Sequence, residues 1–399
     1  MDEGLGETGT AESANSPPLV IIAQLRRQLA SLMRIDEHVV MQPPDVVFAF
    51  RGQVYGDEAT AFQHVSEKFA ILGYTASLRD LPNGGHEIVA VKGVTQRKPG
   101  RTWLNIVLFV VTLFSVLYIG AGYALQDADI PIDPNSLDAL TLPLTHLHWG
   151  IPFAGTLLGI LLAHELSHYC VARRYGSPVS LPFFIPMPFS LMGTMGAVIV
   201  QRAPMRDRKA LFDIGVAGPL GGLIVAIPLL ILGLALSSVG PPPPGVEVAY
   251  QEGNSLLYAA MKYLVFGRFL PSAQEDVWLH PVAFAAWAGL LVTMINLIPV
   301  GQLDGGHISY ALLGRRAWRM GYVAIAAMAA WGGWLLLNGN EAGGFWLTWG
   351  FLNLMLNPRH PPPLNDATKL GGRRIVLGLF VAAIFILTFM PAPLRQIQF

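Results

Sequence analysis

Charge is scarce in this sequence. Of its 399 residues only 13% are charged, against about 25% in an ordinary soluble domain, while 53% are hydrophobic and the mean hydropathy is +0.47. That composition offers too little polar surface for water to solvate the whole chain, so the expectation is an integral, multi-pass membrane protein in contact with a lipid bilayer. Lysine plus arginine and aspartate plus glutamate balance at 26 each. A chain without net positive charge is a poor polyanion binder, and no nucleic-acid partner is expected. Cysteine is nearly absent: Cys170 stands alone, excludes an internal disulfide, and lies two positions past His168 on the other side of a helix. Nor does a basic region lead into an apolar core at the N-terminus, where residues 1 to 17 are small, polar and acidic. They read as a disordered start and not as a signal peptide.

Against this background the charges that do fall inside apolar runs stand out. Residues 157 to 176, LLGILLAHELSHYCVARRYG, carry His164, Glu165 and His168 within a hydrophobic segment. An ionisable side chain is costly there and marks a functional site by default. Four helical steps advance about 400°, which puts His164 and His168 on one face with their imidazoles able to grip one ion, while Glu165 lies about 100° round, where a carboxylate can deprotonate water. This is the His-Glu-x-x-His spacing of zinc metallopeptidases. Two histidines leave a catalytic zinc one protein ligand short. Asp304, in NLIPVGQLDGGHI, is a carboxylate at membrane depth that needs a cation, although it can also serve as a helix cap. Asn296, just before that break, suits either a substrate-holding or oxyanion-steadying role or the satisfaction of broken-helix carbonyls. His307, one turn past Asp304, reads as an interfacial histidine, support behind the metal ligands being the other reading, and His146 and His148 read as surface residues.

The rest of the chain sorts into two parts: residues 18–98, a small cytoplasmic βαββ-type domain, and 102–392, a transmembrane domain. In the first, 46 to 54 reads as a strand, 57 to 72 as a helix, and YTASLRDL with HEIVAVKG as a hairpin turning at Pro82-Asn83-Gly84-Gly85. Apolar residues at helical spacing extend from Leu19 to about Arg34. In the second, about seven crossings are expected, beginning with Trp103 to Leu125 and ending with Ile375 to Met390. Arg97, Lys98 and Arg101 before the first span place the N-terminus in the cytoplasm, and Arg173-Arg174 put the active site towards the same side. Residues 255 to 266 are too short to cross. The prolines at 178, 182, 186 and 188 exclude a continuous helix, so 192 to 201, MGTMGAVIVQ, is expected as a strand or hairpin bordering the site, tolerated at membrane depth only where protein or a wet cavity covers it. Such an edge, with Gly193, Thr194 and Gly196, suits an extended substrate; a structural loop is the other reading. Gly218 and Gly222 are read as helix packing.

HELSH and NLIPVGQLDGG together resemble the site-2 protease family of intramembrane zinc metalloproteases, and GTMGAVI and LFDIGVAGPLGG resemble its other landmarks in the same order. The likeness covers roughly residues 145 to 315. The soluble domain before the first span is similar to the bacterial and plastid branch related to the plant gravitropism-deficient proteases. The resemblance implies zinc held by His164, His168 and Asp304, Glu165 as catalytic base, Asn296 as a substrate-positioning residue, and cleavage of transmembrane protein substrates in a bacterial-type plasma membrane. One departure is Gln302, where the family has proline. Two other function classes remain beside the peptidase: an inactive membrane scaffold of the same family, and a divalent metal transporter, against which stands the absence of an inverted repeat. The oligomeric state is not readable.

Overall fold

The computed structural model describes residues 19–41, 47–82, 84–93, 102–128, 136–241, 248–272 and 274–398. The expectations for residues 1 to 17, for Arg97, Lys98 and Arg101, and for Asn83 in the hairpin turn fall outside these. The chain divides into two units, one within Met1–Gln96 joined by Leu364–Thr368, the other Arg97–Pro363 with Lys369–Phe399.

The first unit runs α1 (Leu19–Leu29), β1 (Met33–Met41), β2 (Val47–Val54), α2 (Glu58–Ile71), β3 (Tyr74–Asp80) and β4 (His86–Lys92), with an antiparallel sheet in the order β1-β2-β4-β3. Asp57 caps α2 by accepting from the Thr60 amide at 2.9 Å, satisfying a donor that the first helical turn leaves open. Phe48, Phe50, Phe62, Val65, Phe69 and Leu78 fill the space between helices and sheet. The βαββ expectation needs one correction: α1 stops at Leu29 and β1 follows it as a fourth strand. Arg34, Asp36, Glu37 and His38 mask that strand's alternation, and a register shift between Ile35 and Glu37 breaks it. Arg51 on β2 binds Glu37 on one side and Glu87 on the other, so the charges that hide the strand in the sequence pair across it. Residues Leu364–Asp366 run beside β3, with Leu78 donating to the Leu364 carbonyl at 2.7 Å and Asp366 donating to that of Leu78 at 2.9 Å.

The second unit is helical: α3 (Thr102–Asp127), α4 (Asp138–Thr145), α5 (Ile151–Arg174), α6 (Arg208–Ala235), α7 (Leu256–Phe266), α8 (Pro281–Asn296), α9 (Asp304–Leu313), α10 (Arg316–Leu337), α11 (Ala342–Met355) and α12 (Gly372–Thr388). Three two-stranded sheets accompany it: β5 (Phe183–Pro186) with β6 (Thr194–Val198), β7 (Ser238–Gly240) with β9 (Asp276–Trp278), and β8 (Val248–Glu252) with β10 (Leu394–Gln398). Four helical stretches, Thr102–Gln126, Leu147–Arg174, Arg208–Ala235 and Arg316–Leu337, are long and apolar enough to cross a membrane. The other expected crossings are helices α8, α11 and α12 of 16, 14 and 17 residues, shorter than the roughly 20 residues of a straight span.

α5, α6 and α8 form the centre, burying Leu157, Ile160, Phe212, Leu223, Leu290 and Met294 in one core. Local signals set their ends. Pro152 opens α5 and Pro281 opens α8, where proline's missing N–H costs nothing, and Asp207 caps α6 through the Ala210 amide at 2.8 Å. The hairpin β5–β6 lies along α3, whose polar side chains serve its backbone: Asn105 donates to the carbonyls of Leu181 and Pro182 at 2.8 and 3.0 Å, and Ser115 to that of Gly193 at 2.6 Å. Irregular backbone thus finds its partners in protein, as an apolar surrounding demands.

Candidate metal centre

His164 and His168 stand one turn apart on α5, and Asp304 is the first residue of α9; all three are buried. Their ligand atoms meet. His164 Nε2 lies 3.1 Å from His168 Nε2 and 3.1 Å from Asp304 Oδ2, and His168 Nε2 lies 3.2 Å from Asp304 Oδ1. Among the described residues this is the one group of three or more His, Cys, Asp or Glu side chains close enough to hold a metal ion.

The hydrogen-bonding around the cluster identifies its chemistry. His168 Nδ1 is 2.7 Å from the Ile214 carbonyl on α6. A carbonyl only accepts, so Nδ1 carries the hydrogen and Nε2 presents its lone pair to the centre. A backbone carbonyl behind a metal-binding imidazole fixes tautomer and ring orientation in the same way. Ligands set tetrahedrally about zinc at bonds of about 2.0–2.1 Å stand about 3.3 Å apart. Separations of 3.1 to 3.2 Å between two imidazole nitrogens and a carboxylate therefore fit that ion, and the donor set is one that zinc takes.

Close approach of α6 makes this possible. A Cβ on Gly218 would stand 1.9 Å from His168 Nε2, and one on Gly222 would stand 3.3 Å from His164 Nδ1. These glycines do pack helices together, and what they pack against is the two imidazoles. On the far side, Gly305 leaves no room for a Cβ against the Leu297 carbonyl at 2.1 Å, nor Gly306 against that of Gly301 at 2.3 Å. The glycine pair after Asp304 thereby folds the start of α9 back onto the end of α8.

The cluster lines a cavity of about 700 Å³ whose walls include Glu165 and Asn296, residues 197 to 205, and His307 with His360 to Pro362. Glu165 is buried beside the ligands with the Ile199 backbone against it. Gly193, Thr194 and Gly196 do not reach this wall. Gly193, at φ 72°, packs on α3, where a Cβ would meet the Ser115 carbonyl at 2.8 Å, and Thr194 turns its hydroxyl to the Ile185 carbonyl at 2.8 Å. The wall instead begins at Ala197.

His307 is also placed differently from the interfacial expectation. It lines the cavity, and its Nδ1 is 2.6 Å from His360 Nε2. Burial, and next the neighbouring His307, pull the His360 imidazole down to about 3. His360 sits in an Arg-His-Pro-Pro-Pro stretch, 53 positions from its partner, with no periodicity around it; only the pairing of a second histidine with that proline turn hinted at a role.

Residues 152–337 match peptidase family M50. The chain is 31% identical over 333 residues to "Probable zinc metalloprotease EGY1, chloroplastic" of Oryza sativa subsp. japonica, covering 78% of this chain and 55% of that protein. It is 28% identical over 329 residues to the Arabidopsis thaliana protein of the same description, covering 78% and 58%. It is 26% identical over 373 residues to "Probable zinc metalloprotease EGY2, chloroplastic" of Oryza sativa subsp. indica, covering 89% and 64%. The match thus spans less than two thirds of the length of each of these curated relatives.

Proposed function

We propose that the chain, whose residues 152–337 match peptidase family M50, the site-2 protease family, is an intramembrane zinc endopeptidase that hydrolyses peptide bonds in or near transmembrane segments of other proteins. The observation that carries this reading is the meeting of His164, His168 and Asp304 at 3.1 to 3.2 Å, with Glu165 beside them, in a cavity set among apolar helices.

His164, His168 and Asp304 would hold the zinc, which when bound supplies Lewis-acid polarisation of the scissile carbonyl and acidifies the attacking water. Glu165 accepts the proton of that water and passes it to the departing amine, the general acid-base task of a carboxylate within reach of both. The Ile214 carbonyl holds His168 in the one tautomer that can serve. Asn296 at the end of α8 faces the same cavity and positions the substrate carbonyl.

A transmembrane helix hides its peptide groups in its own hydrogen bonds, so cleavage requires an extended segment. The strand stretch from β6 to Gln201 supplies a template. Ser180 donates to the Val200 carbonyl at 3.0 Å and Arg202 to that of Pro178 at 2.9 Å. Backbone groups alternate in direction along a strand, so those of Ile199 and Gln201 turn the other way, where an extended substrate can add as a further strand. The membrane topology read from the sequence is proposed to hold as well: about seven crossings, with α8, α11 and α12 as the short ones, the N-terminus cytoplasmic and the site towards that face of a plasma-membrane-type bilayer.

The test is Glu165→Gln in the purified full chain. Zinc content stays at the wild-type level while cleavage of a transmembrane-helix substrate is lost. Cleavage that persists defeats the role of Glu165, and zinc-dependent transport into sealed vesicles without cleavage defeats the peptidase reading.

A further inference from the structure

Two polar groups in the wall of the site cavity have no hydrogen-bond partner among the described residues. They are the Gln201 carboxamide, unpaired at both Nε2 and Oε1, and Nδ1 of His360. Both polar atoms of Gln201 are buried. Burying an amide with neither its donor nor its acceptor satisfied opposes folding, and native interiors avoid it. The same unit shows the usual solution at Asn105, whose amide serves two carbonyls. Gln201 departs from that rule inside the cavity that holds Glu165 and the three ligands.

Its backbone adds direction. Gln201 forms an antiparallel bridge with Val179, flanked by the bonds from Ser180 to Val200 and from Arg202 to Pro178. In such a pair the residue's own N–H and C=O point away from its partner. Gln201 therefore stands at the end of the open strand edge, fixed in place by its neighbours, with an unpaired carboxamide beside it. A carboxamide offers an NH2 donor and a C=O acceptor side by side, the complement of the C=O and N–H that an unwound helix leaves without partners.

We propose that Gln201 is a substrate-clamping residue whose carboxamide hydrogen-bonds the main chain of the polypeptide segment lying extended along residues 199 to 201. This rests on the peptidase reading and deepens it. The ligand is unwound backbone, so selection at this position acts on a segment's readiness to leave the helical state and not on the identity of one side chain. Gln201 takes up bonds that the substrate loses when it unwinds, which lowers the cost of presenting a scissile peptide.

The experiment uses the full chain in detergent with Gln201→Leu, which keeps the bulk and removes both polar atoms. The probe is a labelled leucine-alanine transmembrane peptide of about 20 residues with a central Asn-Pro break, and a set of analogues in which one backbone amide after another is replaced by an ester. On a Glu165→Gln background, binding of the amide peptide weakens about tenfold on Gln201→Leu, the scale of a lost hydrogen-bonded contact. One ester position weakens binding to the protein that keeps Gln201 and has no further effect on the Gln201→Leu variant. Thermal stability of Gln201→Leu is equal or higher, because an unpaired buried amide has been replaced by an apolar group. On the active background KM rises while kcat changes little.

Equal affinity in the two proteins, or ester penalties that are the same with and without Gln201, overturns the clamp. A fall in stability that tracks the fall in affinity also overturns it, since Gln201 would then be structural. Gln201-dependent binding together with zinc-loaded wild-type protein that never cleaves leaves the clamp standing and removes the peptidase reading; cleavage with a KM indifferent to Gln201 does the reverse.

Discussion

Replacing Gly218 by alanine adds one methyl group, and the structure predicts that it abolishes metal binding without unfolding the protein. The new Cβ would lie 1.9 Å from His168 Nε2, 2.4 Å from Cδ2 and 2.5 Å from Cε1. Real Cβ contacts begin near 3.0 Å, so the ring must retreat by at least 3.0 − 1.9 = 1.1 Å. Metal-ligand distances tolerate about 0.2 Å, and a displacement of about 1 Å in a catalytic group costs on the order of 100-fold in rate, or about 2.7 kcal/mol. Alanine is meanwhile the better helix former by about 1 kcal/mol, so α6 itself gains. Gly159→Ala on α5 is the control, since a Cβ there meets nothing within 4 Å. Zinc per protein by elemental analysis, kcat/KM on a transmembrane substrate and thermal unfolding are read together. Gly218→Ala should lose zinc and at least about 100-fold in kcat/KM, with Gly159→Ala unchanged in both. A Gly218→Ala protein that binds one zinc and cleaves at the wild-type rate would refute the packing argument.

Two further outcomes follow from buried polar groups. Lys262 is fully buried with its Nζ 2.7 Å from Glu252 Oε1 and 4.4 Å from the centre of the Tyr258 ring; Lys262→Met strands the Glu252 carboxylate and should cost about 3–5 kcal/mol in unfolding experiments, with Glu252→Gln added to it restoring part of the loss. His360 is held at about 3 in the fold against about 6.5 in the unfolded chain. The unfolded state therefore takes up the proton first, and stability falls as the pH drops from about 6.5 towards 3. His360→Asn should flatten that part of the stability profile, and an unchanged slope would show that His360 is not kept neutral.

What the sequence conveyed about the site follows the range of the interactions involved. Helical period alone places His164 and His168 on one face, and their nitrogens stand 3.1 Å apart. Asp304 lies 140 positions from His164, beyond any local pattern; it was legible because a carboxylate in an apolar break calls for a cation. The contacts of Gly218 with His168 and of His307 with His360 depend on which helix or loop comes to lie alongside, and no spacing encodes that. The same holds for the hairpin. The stretch 192 to 201 does border the cavity, but through its second half: Ala197 to Gln201 line the wall, while Gly193 is held on α3 by the Ser115 hydroxyl. β1 was hidden for a different reason, since its charged residues obey the pairing needs of Arg51 and not the alternation of a half-buried strand.

The measurement that bears most directly on the central claim is zinc K-edge X-ray absorption on the purified full chain and on its Asp304→Asn variant. Two imidazole nitrogens and carboxylate oxygen at about 2.0–2.1 Å, with one imidazole lost in His168→Ala and the metal lost or greatly weakened in Asp304→Asn, is the result expected from three donors that converge at 3.1 to 3.2 Å. Tight zinc binding with an identical spectrum after Asp304→Asn would contradict it.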